Sequence, residues 1–218
     1  MKSYLILVLT FFLVCLSSFA YTNDIEFSEC IKNAGESYSN VYDCVCARKE
    51  YYKSESEKLL KELETQFPKT SYEKIINNQA LLVQYIQSLD DGEIKILNDT
   101  QGVMYQTFSQ EILLMIHETN FQILSLINND SYNRNKLSQT PTMLKLNLCL
   151  NKLKNNLTRE QYDDIIQSQY YWELYRNDII KNIQPLISTL ELKKYIRQII
   201  IEDRINALTD LDSLFAED

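Results

Sequence analysis

The sequence predicts an all-α protein, an antiparallel helical bundle built from two repeated helical units and stabilised by disulfides. Three observations carry this reading. Apolar residues recur at spacings of three and four over long stretches, with no strand-type alternation. Glycine and proline number three each in 218 residues, too few for the many tight turns of an all-β chain. The two halves of the chain also match each other when one is laid on the other.

The N-terminus sets the expected compartment. Lys2 provides a positive start, residues 4–16 are almost unbroken apolar sequence, and Ser18 and Ala20 put small residues where a signal peptidase reads. Polar Thr22, Asn23 and Asp24 follow. This order predicts a secretory signal over residues 1–20, cleaved after Ala20, and a periplasmic or secreted product. A spanning helix needs roughly 20 apolar residues, so no stable membrane insertion is expected after cleavage. Bulky Val14 before Cys15 lacks the small residue of a lipoprotein signal.

Four cysteines then remain: Cys30, Cys44, Cys46 and Cys149. An even count in an exported chain predicts two disulfides, with three connectivities open. Cys44 and Cys46, two apart on a helix, point to nearly opposite sides and do not suit a mutual bond. The expectation is that one reaches Cys30 and the other Cys149.

Two long stripes define the helices of the first half. Tyr72, Ile75, Ile76, Leu82, Val83, Ile86 and Leu89 form one; Tyr105, Phe108, Ile112, Met115, Ile123 and Leu126 form the next. Breaks are expected at Phe67-Pro68, at Asp90-Asp91-Gly92, over 128–141, at Asn155-Asn156 and at Pro185. Thr158 followed by Gln161 predicts a capping box at a helix start. Tyr72, Ile75, Ile76, Gln79 and Tyr85 reappear at Tyr162, Ile165, Ile166, Gln169 and Tyr175, an offset of 90. With a six-residue gap, Ile112, Ile116 and Glu118 fall against Ile196, Ile200 and Glu202. The chain therefore reads as a signal (1–20), a first helical unit (21–127), a linker (128–141) and a second unit (142–218). Each unit is expected to be a long helix, a second long helix and a third returning helix, packed as an antiparallel bundle.

These residues resemble a known family, the bacterial LprI-type lysozyme-inhibitor N-terminal domains. Glu29-Cys30 with Ala34, and Cys46-Ala47 followed by Tyr51, are similar to its cysteine-bearing start. Gln169, Trp172, Tyr175 and Arg176 resemble its helix signature, and Glu202, Asp203 and Arg204 with Leu208 its C-terminal helix. The first unit carries the cysteines and the second the Trp/Arg signature; Leu82 and Ile86 stand in the first unit where the second has Trp172 and Arg176. The resemblance implies a helical, disulfide-bearing protein that binds a lysozyme.

Catalysis is not expected. His117 is the single histidine, no Cys/His cluster has zinc spacing, and three glycines leave no phosphate loop, so neither metal nor cofactor is predicted. Cys44-Val45-Cys46 lacks the spacing of a redox pair. Trp172 and Arg176 share a helix face, with Trp172 on an apolar stripe where core packing is the expectation. Loss of Lys2 with the signal moves the net charge from −8 to −9. Such acidity disfavours nucleic acid and suits a basic protein partner, a lysozyme being the candidate. Asp90, Asp91, Asn128, Asn129 and Asp130 are the candidate contacts. The alternative is an envelope binding or structural module with another partner.

Overall fold

A computed structural model describes residues 24–99, 102–128 and 142–215. The signal segment, Asn129, Asp130 and the rest of the linker to residue 141 lie outside the described residues. Helices follow in order: α1 (Asp24–Ala34), α2 (Tyr38–Gln66), α3 (Lys69–Asp91), α4 (Glu93–Asp99), α5 (Val103–Ile127), α6 (Met143–Asn156), α7 (Arg159–Asp178) and α8 (Leu190–Phe215). No strand occurs among the described residues, so the fold is all-α. None of these helices is long and apolar enough to cross a membrane.

Local chemistry sets the helix ends. Ser37 and Thr142 accept hydrogen bonds from the backbone N–H of Asn40 and Lys145, capping α2 and α6. The expected capping box is present: Gln161 N–H donates to Thr158 Oγ1 at 3.3 Å, and Thr158 N–H donates to Gln161 Oε1 at 3.0 Å. Pro68, lacking an N–H, stands at the entry to α3. The break at Pro185 is a π-turn (Ile179–Ile183) followed by a 3-10 turn (Gln184–Leu186). One expected break is smaller than the sequence implied. Asp90 and Asp91 are the last residues of α3, and only Gly92 separates them from α4.

The two halves of the chain share one core. Thr107 Oγ1 reaches the Tyr38 carbonyl near both N-termini, and Asn128 Nδ2 reaches Glu62 near both C-termini, so α2 and α5 run the same way. Asn156 with Asp212 and Cys149 with Thr209 give α6 and α8 the same relation. The middle helices leave their own units and pack on each other. Asn78 of α3 meets Asp178 of α7, and the rings of Tyr85 and Tyr175 stack at 6.3 Å, so that pair is antiparallel. One core cluster therefore runs through both halves, from Leu59, Leu63, Ile75 and Leu89 to Trp172, Ile196 and Leu211. Ile76 and Val83, placed on the apolar stripe by their spacing, are instead exposed.

A smaller cluster seats α1. Val45, Tyr52 and Leu114 are buried there, with Phe27 packed against them. Cys30 and Cys44 form a disulfide across it, with 6.0 Å between their Cα atoms. The second expected disulfide is absent: Cys46 and Cys149 are free thiols. Cys46 sits beside Tyr42 on the flank of α2, whereas Cys149 is buried in the α6/α8 contact against Thr209, so the two occupy different parts of the fold.

Peptide mapping of alkylated, oxidised protein should recover Cys30 linked to Cys44 and find Cys46 and Cys149 alkylated. Replacing Cys30 and Cys44 by Ser should cost up to about 3 kcal/mol in urea unfolding, the value for a loop of about 15 residues. Hydrogen exchange should quicken first in α1, which has few other contacts.

Candidate functional site

The polar residues of the core converge where the two halves meet. Glu93, the first residue of α4, is 1% exposed, and so is Arg204 of α8. Their contact is bidentate: Arg204 Nη1 lies 3.0 Å from Glu93 Oε2 and Nη2 lies 2.7 Å from Oε1. Nη2 also donates to Ser168 Oγ at 3.1 Å, Nη1 to Tyr85 Oη at 3.5 Å, and Nε to Gln169 Oε1 at 2.9 Å. A guanidinium has five N–H donors, and all five are used here. Ser168 Oγ in turn donates to Glu93. A buried cation is tolerable only when paired and fully hydrogen-bonded, and this arrangement meets both conditions.

Gly92 is what lets Glu93 reach this position. A Cβ on it would stand 3.1 Å from the carbonyl oxygens of Asp164 and Ser88, tighter than ordinary packing. With hydrogen in that place, the α3/α4 corner closes directly on the backbone of α7.

A cavity of about 20 Å³ lies beside the ion pair, lined by Tyr85, Thr119, Trp172, Tyr175, Asp203 and Arg204 among others. Thr119 of α5 donates to Asp203 of α8. Burial, joined by the charges of Glu118 and Glu202, pushes the Asp203 carboxyl up to about 8, against the opposing hydrogen bond from Thr119. Tyr85 and Tyr175 are raised as well, chiefly by burial. Tyr175 Oη is buried without a hydrogen-bond partner, so its ring provides the contact.

The signature residues all belong to this neighbourhood. Gln169 holds Arg204, Trp172 is 2% exposed, and Tyr175 stacks on Tyr85. Arg176 lies over the Trp172 ring at 5.2 Å and donates to Met143 Sδ and Asn177 Oδ1. Asp178 accepts hydrogen bonds from Asn78 and Asn182. The signature therefore builds the junction of the two halves, with Gln169, Trp172 and Tyr175 out of reach of a partner.

Among the described residues, the contact candidates Asp90, Asp91 and Asn128 do not converge. Asp90 and Asp91 are exposed at the end of α3, where partial desolvation and the charge of Asp91 raise Asp90 against the opposing charge of Lys49. Asn128 is half-buried at the end of α5 against Glu62. Lys49 and Glu62 stand roughly 20 Å apart along α2 at 1.5 Å per residue. His117 is partly buried between α5 and α2, and burial with nearby Lys49 and Lys53 lowers it to about 4, so it is neutral at physiological pH. No group of three or more His, Cys, Asp or Glu side chains suited to a metal ion occurs among the described residues.

No family model matches the chain, and no curated protein sequence does. Among solved structures, the chain is similar to a crystal structure of an uncharacterized protein from Burkholderia thailandensis, with a TM-score of 0.63 and 12% identity. The match covers 87% of this chain and 95% of that one. At such identity the likeness is one of fold.

Two predictions test the junction. Arg204→Met should destabilise by about 3–5 kcal/mol, because Glu93 is left buried and uncompensated. Adding Glu93→Leu to that variant should restore much of the loss, since two apolar residues leave no orphan charge. Asp203 gives a signed pH dependence. Unfolded, it ionises near 3.8; folded, it keeps its proton to about 8, so the folded state binds the extra proton between these values. Stability should therefore fall as pH rises from about 4 to about 8, with a slope approaching about 1.4 kcal/mol per pH unit from this group. Asp203→Asn should flatten that slope and melt higher at pH 7.

Proposed function

We propose that this is an exported, non-catalytic protein that binds a basic cell-wall lytic enzyme of the lysozyme kind and blocks its cleft sterically. The observation that carries the reading is the acidic excess together with its placement. The chain has 30 Asp and Glu against 22 Lys and Arg, and the junction takes up one acid and one base as an ion pair and holds Asp203 protonated to about 8, which leaves most of that excess on other side chains. A surface of this sign steers a basic partner into encounter and makes association weaken with salt. The resemblance of Gln169, Trp172, Tyr175 and Arg176 to the inhibitor family points the same way. The ion pair and its hydrogen-bonding neighbours at the junction are engaged with one another, which supports a structural role for them.

The chain is further read as an internal duplication. Residues equivalent under the sequence match make equivalent or mutual contacts: Gln79 bonds Asn120 as Gln169 bonds Arg204, Tyr85 stacks on Tyr175, and Thr119 meets Asp203. These pairs support two copies related by an approximate two-fold axis. A second reading, an envelope binding or structural module with a different partner, is favoured by the burial of the signature. Residues that hold a scaffold together are retained whatever the partner.

Titration of the mature, oxidised protein against a basic lysozyme, following cell-wall lysis at low and moderate salt, separates the two. Stoichiometric inhibition that weakens with salt is the expected result. Undiminished lysis at large molar excess, with helicity and the Cys30–Cys44 bond intact, would end the lysozyme reading in favour of the envelope module.

A further inference from the structure

Helices α5 and α8 touch closely at one end and separate at the other. Gln122 meets Tyr195 at 3.0 Å and Thr119 meets Asp203, but towards Phe108 and Asp210 the two helices leave a groove of about 250 Å³. Phe108, Ile112 and Met115 line one wall from α5, and Asn206 lies on the α8 side. Glu111 and Asp210 face each other across the rim. Both residues are exposed at the mouth of the groove; partial desolvation against the walls and the charge of Asp210 raise Glu111, and partial desolvation raises Asp210.

No lysine or arginine among the described residues forms an ion pair with either carboxylate, in contrast to Glu93, which has Arg204. Two like charges at one rim repel each other, mildly because both residues are exposed to solvent, and that repulsion returns nothing to the fold. A metal ion is a poor occupant, since a hard cation needs six or more oxygen ligands and much of this lining is apolar. What complements it is a cation on an apolar stem: methylenes along Ile112 and Met115, the charged head between the carboxylates, and the Phe108 ring available for a cation–π contact.

We propose that the α5/α8 groove is the anchor site for an arginine or lysine side chain of a basic partner protein. This rests on the reading of the chain as a binder of a basic protein, and it assigns that binding to Glu111 and Asp210.

The test uses the oxidised protein with two probes. The first is acetyl-arginine amide, with acetyl-citrulline amide as its neutral isostere, followed by backbone amide shifts. The second is a basic lysozyme, titrated against wild type and the Glu111→Gln/Asp210→Asn double variant. Shifts at Phe108, Glu111, Ile112, Asn206 and Asp210 with the arginine probe, and none with citrulline, are expected. The double variant should bind lysozyme at least tenfold more weakly while melting no lower than wild type, because its change relieves repulsion. A structural role for the two acids would instead lower both together. Equal shifts with both amides, or none, would overturn the proposal, as would a double variant that binds as tightly as wild type. In that last case the lysozyme reading survives and the groove falls. Arginine-selective shifts without lysozyme binding would keep the groove and remove lysozyme as the partner.

Discussion

Arg204 is the constraint around which this fold is arranged. A guanidinium without solvent requires a counter-charge and an acceptor for each of its five N–H groups. These come from α3, α4 and α7, that is, from both halves of the chain. The requirement explains otherwise odd details. The seven-residue α4 exists to present Glu93 at its first position, and Gly92 is glycine because the corner before it touches the backbone of α7. It also explains why α3 and α7 pair with each other. Tyr85, Ser168 and Gln169 meet one cation only if the two middle helices lie side by side. An apolar core of equal volume can be as stable; what the guanidinium adds is a set of directional bonds that tie α3, α4 and α7 to α8.

If the two halves are copies, the junction is where they have diverged. Gln79 with Asn120 is a neutral amide pair, while Gln169 with Arg204 occupies the corresponding place with a full charge. The charged version demands Glu93, for which the matched position in the second half is Ile183, buried in the π-turn. Under the same sequence match, Tyr85 stacks on its equivalent Tyr175, and Thr119 bonds its unlike equivalent Asp203. Two identical acids meeting there would repel; a threonine opposite an acid supplies a donor instead. The asymmetry follows from the electrostatics of a contact that a residue makes with its own counterpart.

Much of this was legible in the sequence, and the rest failed for identifiable reasons. Helix starts at Thr158 and after Pro68 could be read because caps are local chemistry. Trp172 could be placed in the core from its stripe. Glu93 could not be singled out, since an acid at a helix N-terminus is ordinarily a solvated capping charge, and its partner is 111 residues away. Arg204 was visible only as part of a family tail. The cysteine count misled: an even number predicts pairing, but Cys149 lies on the core side of α6 and meets Thr209 there. The stripe through Ile76 and Val83 misled in another way. The period marks a face, and two residues at its margin fell outside the width that α7 covers.

The contrast between two carboxylate sites bears on where function resides. Glu93 is a buried acid matched by a cation of the same chain, whereas Glu111 stands exposed at the edge of a partly apolar groove and is opposed by a second acid. Folding alone favours the first arrangement and disfavours the second. Likewise the signature residues, Gln169, Trp172 and Tyr175, are accounted for by contacts inside the molecule, so they explain why the chain folds this way and not what it meets. Groups that remain electrostatically unsatisfied in the free protein are the ones a partner can satisfy. On this reasoning the recognition surface of an acidic helical protein should be sought where its own charges are in conflict, and the rim of the α5/α8 groove is such a place.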